Sequence, residues 1–295
     1  MTQRSRTLQF GLLLAVGLGL WWRPLADTLR VALISDAHSH ILLIVPLSCA
    51  LVFLRRKTRL PDPNPSVGTG SALLIVALLI AGFSKYGADG LPQDVRLSLS
   101  ILALVAWWIG SVLLCFGARV FQAFLFPLCL LFWIVPIPEL ALDAIIPFLQ
   151  HQSAFAARVM FLLIGVPVTQ DGIMLSIPSL DIEVARECSS IRSSMILVIT
   201  TMVLSHLFLR SSWRKALLIA AAVPVAVAKN GLRIFAIAQL GTRVDSAFLD
   251  GNLHHRGGIV FFAISVMAVI GCLWALRRTD RPETASASVN DRQTH

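Results

Sequence analysis

Apolar runs of roughly 20 residues, most of them bounded by short basic clusters, recur along this chain, and a run of that length is what a helix needs to cross a bilayer core about 30 Å thick. The runs fall at 7–22, 38–54, 71–84, 97–116, 121–139, 189–209, 215–239 and 256–276. Only helices and closed barrels satisfy their backbone inside lipid, so the pattern predicts an all-α polytopic membrane protein with about eight transmembrane helices. Composition agrees: 56% of the 295 residues are hydrophobic and 14% are charged, against roughly 25% charged in ordinary soluble domains. The segment MTQRSR and the apolar run after it read as the first span, because no A-x-A cleavage site is visible and further spans follow.

The basic residues fix an orientation. The net charge of +9 would suggest nucleic acid in a soluble protein, but here the cations sit between apolar runs, where they act as topology signals. Arg4 and Arg6 precede the first span. Arg55, Arg56, Lys57 and Arg59 follow the second, and Arg119 lies between the fourth and fifth. Arg210, Arg214 and Lys215 follow the sixth, and Arg277, Arg278 and Arg281 follow the eighth. With eight spans all of these fall on one face, so both termini are expected in the cytoplasm. The opposite face then receives 23–37, 85–96, 140–188 and 240–255. The longest of these begins with an apolar but broken stretch, LDAIIPFLQHQSAFAARVMFLLIG at 142–165, expected as an interfacial or re-entrant helix. It continues through VPVTQDGIMLSIPSLDIEVAREC, whose Pro and Gly punctuation and partial alternation predict a small extracytoplasmic β-like insertion before the sixth span. One transmembrane domain is expected over 1–278, with a polar, disordered cytoplasmic tail over 279–295.

Of five cysteines, Cys49, Cys115, Cys129 and Cys272 lie inside spans, where the ordinary role of the residue is core filling. Cys188 stands apart at the point where the β-like segment becomes a membrane helix. The seventh span carries Lys229, Asn230 and Arg233, and ionisable groups inside spans are expensive enough to be retained for a reason. Snorkelling is the bland reading for Arg233, and Lys229 is in principle able to pair with Glu139 or Asp143. Helix counting sets depths. Arg233 lies 233 − 215 = 18 residues beyond Lys215, His254 lies 277 − 254 = 23 before Arg277, and Cys188 lies 210 − 188 = 22 before Arg210. At about 1.5 Å per residue these are about 27, 34 and 33 Å, so three helices bring Cys, Arg and His to one depth on one side. A thiolate is the nucleophile, an imidazole lowers its pKa and protonates the leaving amine, and the positive end of a helix beginning at Cys188 favours S⁻. An always-charged Arg beside them suits a tetrahedral oxyanion.

The strings ECSSIRS at 187–193, NGLRI at 230–234 and LHHRGGIVFF at 253–262, in that order on successive membrane helices, resemble the exosortase/archaeosortase family, as does SHILLIVP at 39–46. The likeness is strongest over 166–262. The resemblance implies a multispanning cysteine protease or transpeptidase that cuts C-terminal sorting tails of the PEP-CTERM type at the outer face of a bacterial inner membrane, through a Cys thioester. It implies Cys188 as nucleophile, Arg233 as the oxyanion or carbonyl stabiliser and His254 as base and acid. His254 is chosen over His255 because Gly257 and Gly258 then stand three and four places after the His, and 254 − 233 = 21 also fits the family. Arg192, Asn230, His255 and Gly258 are supporting positions. Ser190 departs from the family's usual Gly. The implied partners are secreted proteins carrying a motif, a hydrophobic helix and a basic terminus, together with membrane lipid and an amine acceptor or water. No cofactor, metal or nucleic acid is implied.

Two other classes compete. Lys229 and Arg233 suit an anion path in a transporter, although transporters often place binding groups at the midplane between repeats, and no repeat is evident. A non-catalytic subunit for envelope polysaccharide or secretion would leave Cys188 as packing. A metal site built from His38, His40, His254 and His255 is a weaker idea.

Overall fold

In a computed structural model of the chain the described residues are 3–56, 61–87, 90–178, 180–184, 191–243 and 258–278. They form two compact units, Met1–Ala144 and Ile145–His295. The helices are α1 (Gln3–Leu20), α2 (Trp22–Ile34), α3 (Ile41–Arg56), α4 (Val67–Gly82), α5 (Gln93–Phe116), α6 (Ala118–Ala123), α7 (Leu125–Leu130), α8 (Glu139–Leu163), α9 (Ile191–Phe208), α10 (Ser212–Arg243) and α11 (Gly258–Arg278). Among the described residues six helices are long and apolar enough to cross a membrane, or up to eight if each of two bent pairs counts as one span. The molecule is therefore the all-α polytopic membrane protein the apolar runs predict, with a small sheet in its second unit.

In the first unit α5 is the axis: 61% of its apolar window is buried, the largest share of any candidate span, with α1, α2 and α4 packed on it. Two expectations are corrected here. The first span ends at Leu20, and residues 22–34, expected as a connection, form α2, bent from α1 by 70°. Pro24 accounts for the bend, because its ring would clash with the carbonyl of Leu20 four residues earlier while costing nothing in the first turn of a new helix. The fifth run, 121–139, is not one helix but α6, α7 and a 3₁₀ turn at Leu131–Ile134. Pro127 cannot donate to the carbonyl of Ala123, where α6 ends, and Pro136 drives Val135 to an extended ψ of 118°. The fragments are held laterally, with the buried Ser48 of α3 donating to the Pro127 carbonyl at 2.7 Å.

His38 and His40 also lie in this unit. His38 Nε2 donates to the Ile137 carbonyl at 3.0 Å, and its Nδ1 shares a hydrogen bond with the Ser35 hydroxyl at 3.0 Å. His40 Nδ1 donates to the Ala37 carbonyl at 3.1 Å, and its ring stands edge-on to Trp133. These contacts give His38 a packing role with both nitrogens committed to protein. Among the described residues no group of three or more His, Cys, Asp or Glu is arranged to hold a metal.

In the second unit the stretch 142–165, expected as broken, belongs up to Leu163 to the continuous helix α8 of 25 residues, with Pro147 inside it. The β-like insertion is a three-stranded antiparallel sheet of β1 (Thr169–Asp171), β2 (Met174–Ile177) and β3 (Leu180–Glu183). Asp171 pairs with Met174 across a two-residue turn. Gly172 begins that turn at φ 60°, a left-handed value that a side chain would resist. Leu175 and Ile177 alternate inward and join Ala154, Ala157, Phe161, Ile234 and Ala238 in one core, so the sheet is seated on α8 and the C-terminal half of α10.

The cysteine expectation is corrected in part. Cys115 is buried, but Cys49, Cys129 and Cys272 are exposed on their helices. A small weakly polar thiol is tolerated by lipid as well as by a core, so hydropathy does not separate the two placements.

Candidate active site

Helices α9, α10 and α11 pack on one another in all three pairings. The connection at 209–211 makes α9 and α10 antiparallel, and Leu209, Leu218 and Leu273 share a core near that turn. The Arg277 guanidinium, at the end of α11, lies 5.7 Å from the Phe208 ring at the end of α9. α9 and α11 therefore run the same way, and their N-termini meet the C-terminal half of α10 at the opposite end of the bundle.

A polar contact ties α9 to α10 at that end. Lys229 Nζ of α10 donates to Ser193 Oγ in the first turn of α9 at 2.5 Å. The partner found for Lys229 is thus a hydroxyl on the neighbouring helix. Arg233 follows Lys229 by four residues, which places it on the same face and about 6 Å closer to the end of the bundle. It is half-buried. Its neighbour Ile234, about 100° further around the helix, enters the core beneath the sheet. Asn230 is 1% exposed.

Gly231 explains why α8 and α10 come so close: an ideal Cβ there would stand 2.6 Å from Ala156 Cβ and 2.9 Å from the Ala157 backbone nitrogen. From the same helix, Gln150 Nε2 donates to the Val184 carbonyl at 2.6 Å, and Val184 N–H donates to the Ile173 carbonyl at 3.1 Å. The chain is thereby tied down at the last described residue before the segment that carries Cys188.

Of the expected site residues, the structure thus places Arg233, Asn230, Arg192 and Gly258. Arg192 is exposed in the first turn of α9. Gly258 is the first residue of α11, and a Cβ built there meets nothing within 4 Å, so no steric demand among the described residues explains it. Cys188, Ser190, His254, His255 and Gly257 lie outside the described residues, as does the tail 279–295. The contribution of Gln150 is not visible in sequence, since it is a single amide on an apolar helix, 34 residues from its partner. Ser193 had a signal, as the last residue of the ECSSIRS string.

The other end of the bundle carries the basic residues and their aromatic neighbours. Arg278 lies 3.4 Å from the Trp274 ring and Arg214 lies 5.2 Å from the Trp213 ring, an arrangement suited to a membrane interface.

A family model described as transmembrane exosortase matches residues 21–271. No curated protein and no solved structure matches the chain.

Proposed function

Because the chain belongs to the transmembrane exosortase family, membrane-embedded transpeptidases of protein sorting, we propose that it cleaves C-terminal sorting tails of exported proteins through a thioester on Cys188, at the extracytoplasmic face of a bacterial inner membrane. The substrate class is a secreted precursor ending in a short Pro-containing motif, one hydrophobic helix and a basic terminus. Its tail helix confines it to the bilayer, where modest helix contacts suffice because encounter is two-dimensional. The enzyme's own basic loops would repel a basic terminus, so recognition falls to other surfaces.

In the proposed cycle His254 takes the Cys188 proton and the thiolate attacks the scissile carbonyl. The carbonyl oxygen becomes an oxyanion, which the Arg233 guanidinium stabilises with charge-assisted N–H donors. As the tetrahedral intermediate collapses, the C–N bond breaks and His254 protonates the departing amine. The acyl group stays on sulfur until an amine acceptor, or water, attacks and releases the thiol.

The observation that carries this reading is the shared end of α9, α10 and α11, with Arg233 on the face of α10 that Lys229 holds to α9. Cys188 precedes the first residue of α9 by 191 − 188 = 3 residues, and His254 precedes that of α11 by 258 − 254 = 4. At no more than about 3.6 Å per residue, chain length alone tethers both to this end. The cations and interfacial aromatics at the opposite end support a cytoplasmic assignment there by the positive-inside rule, and so an extracytoplasmic site.

The test is co-expression with a tailed precursor. Cys188→Ala, Arg233→Ala and His254→Ala are each expected to leave the precursor uncut, whereas His255→Ala processes it. Continued cleavage by Cys188→Ala would overturn the proposal and favour a transporter or non-catalytic subunit.

A further inference from the structure

Three strips divide the surface of α2, whose residues turn by about 100° each. Thr28 and Ala32 are buried on the first unit. Trp22, Leu29 and Leu33 fall within about 40° of one another on a second strip, and all three are exposed. Arg23, Asp27 and Arg30 form a third, about 80–140° round from Trp22, and they too are exposed. Ile34 ends the helix on that side. An apolar strip beside a charged one, on a helix whose remaining side is already packed, is the pattern of a segment lying along a bilayer surface. Arg30 meets Asp27 at 3.4 Å, and the Arg23 guanidinium lies 5.5 Å from the Trp22 ring, a pairing suited to the headgroup region.

Depth separates lipid from water as the occupant of these strips. α1 runs along α5 in the opposite sense, with Phe10 against Phe116 at 5.3 Å and Trp21 against Trp107 at 5.8 Å between ring centroids. Beyond Trp107, α5 continues for 107 − 96 = 11 residues to the charged Arg96, about 16 Å. α2 therefore leaves α1 beside the apolar part of α5, on which it packs. Its 13 residues rise about 18 Å along their own axis. Bent by 70°, the helix advances only about 6 Å of this along α1, so its exposed strips stay at the depth of acyl chains and headgroups.

We propose that α2 is an interfacial helix that docks on the phospholipid of one leaflet: Trp22, Leu29 and Leu33 rest against acyl chains, while Arg23 and Arg30 extend to headgroup phosphates. Long arginine stems allow this, because the guanidinium reaches the phosphate level while the backbone stays lower. Phosphate oxygens accept from the planar N–H fork, which suits arginine better than a point charge. The leaflet is the one opposite Arg4 and Arg6, which stand in the first turns of α1. This contact is independent of peptide cleavage and goes beyond it, since it concerns how the first unit is seated in the bilayer.

The experiment places single nitroxides at positions 22, 23, 27, 29, 30 and 33 of the full-length protein, through an unnatural amino acid that leaves the native cysteines in place. The protein is held in nanodiscs of phosphatidylethanolamine and phosphatidylglycerol, and electron spin resonance with oxygen and a nickel chelate as collision partners reads the depth of each label. Labels at 22, 29 and 33 are expected about 5–10 Å below the headgroup level and more open to oxygen. Labels at 23, 27 and 30 are expected at the headgroups and more open to the chelate, so that depth alternates with the helical period. A depth that changes steadily from 22 to 33 through the bilayer centre overturns the inference by making α2 part of a span. Equal chelate access at all six positions overturns it by placing the helix in water. Exclusion of both reagents at 22, 29 and 33 overturns it by showing a protein partner on the apolar strip. In the unlabelled protein, phosphatidylglycerol with a diazirine high on its acyl chain is expected to mark Trp22, Leu29 and Leu33 on illumination, and an α2 left unmarked overturns the inference independently of any variant.

Discussion

Gly231→Ala adds one methyl group at the closest approach of α8 and α10, and the consequence follows from distance. The new Cβ would lie 2.6 Å from Ala156 Cβ and 2.9 Å from the Ala157 nitrogen, whereas non-bonded carbons rest about 3.5–4.0 Å apart. Neither neighbour is the free end of a flexible side chain, so the helices must separate by about 1 Å. Overpacking of this kind costs about 1–3 kcal/mol, and the better helix propensity of Ala returns about 1 kcal/mol, leaving a net loss of up to about 2 kcal/mol. In a unit of this size each kcal/mol lowers Tm by about 2–4 °C. Activity should fall further than stability. Arg233 lies two residues on, and a misplacement of about 1 Å in catalytic geometry costs on the order of a hundredfold. Thermal unfolding of the purified protein and the rate of precursor cleavage measure the two effects. A Gly231→Ala protein with unchanged or raised Tm and the parent's cleavage rate would refute the close approach and the positioning of Arg233 that depends on it.

Further expectations concern the supports on either side of the site. Gln150→Leu removes the donor to the Val184 carbonyl and leaves a buried acceptor unsatisfied, at about 1–3 kcal/mol; amide exchange over 173–184 should quicken and cleavage slow, and an unchanged exchange pattern would exclude the anchor. Ser48→Ala deletes the bond to Pro127 in the first unit and should cost about 1 kcal/mol in stability with cleavage by the folded protein unchanged; a large loss of cleavage at constant Tm would give the first unit a part in the chemistry that this account does not.

The membrane architecture was legible because a bilayer imposes a length. The runs at 189–209, 215–239 and 256–276 became α9, α10 and α11 with ends shifted by a few residues. The sheet was legible from Gly172 and the alternation around Leu175 and Ile177. Where hydropathy misled, the missing information was about backbone donors. The run 121–139 is apolar throughout, but Pro127, Pro136 and Pro138 remove the N–H groups a single helix needs. α2 escaped notice for the opposite reason, since Arg23, Asp27 and Arg30 interrupt its apolar face. The position of Arg233 in the last third of α10, towards the end of the bundle where α9 begins, was readable from the sequence by counting residues. The side-chain register was not: whether Lys229 meets Ser193 or a carboxylate depends on how α9 and α10 are rotated about their axes, which periodicity does not fix. Gln150 was hidden for the same reason.

The most direct measurement is of the acyl-enzyme. Full-length protein in bilayer nanodiscs is mixed with a tailed precursor, quenched in acid within the first turnover and digested for mass spectrometry. The account predicts a hydroxylamine-sensitive acyl group on the peptide containing Cys188, formed with release of the tail helix, and lost in Cys188→Ala. Release of the tail with no acyl group on sulfur, or with the acyl group on any other residue, would contradict it.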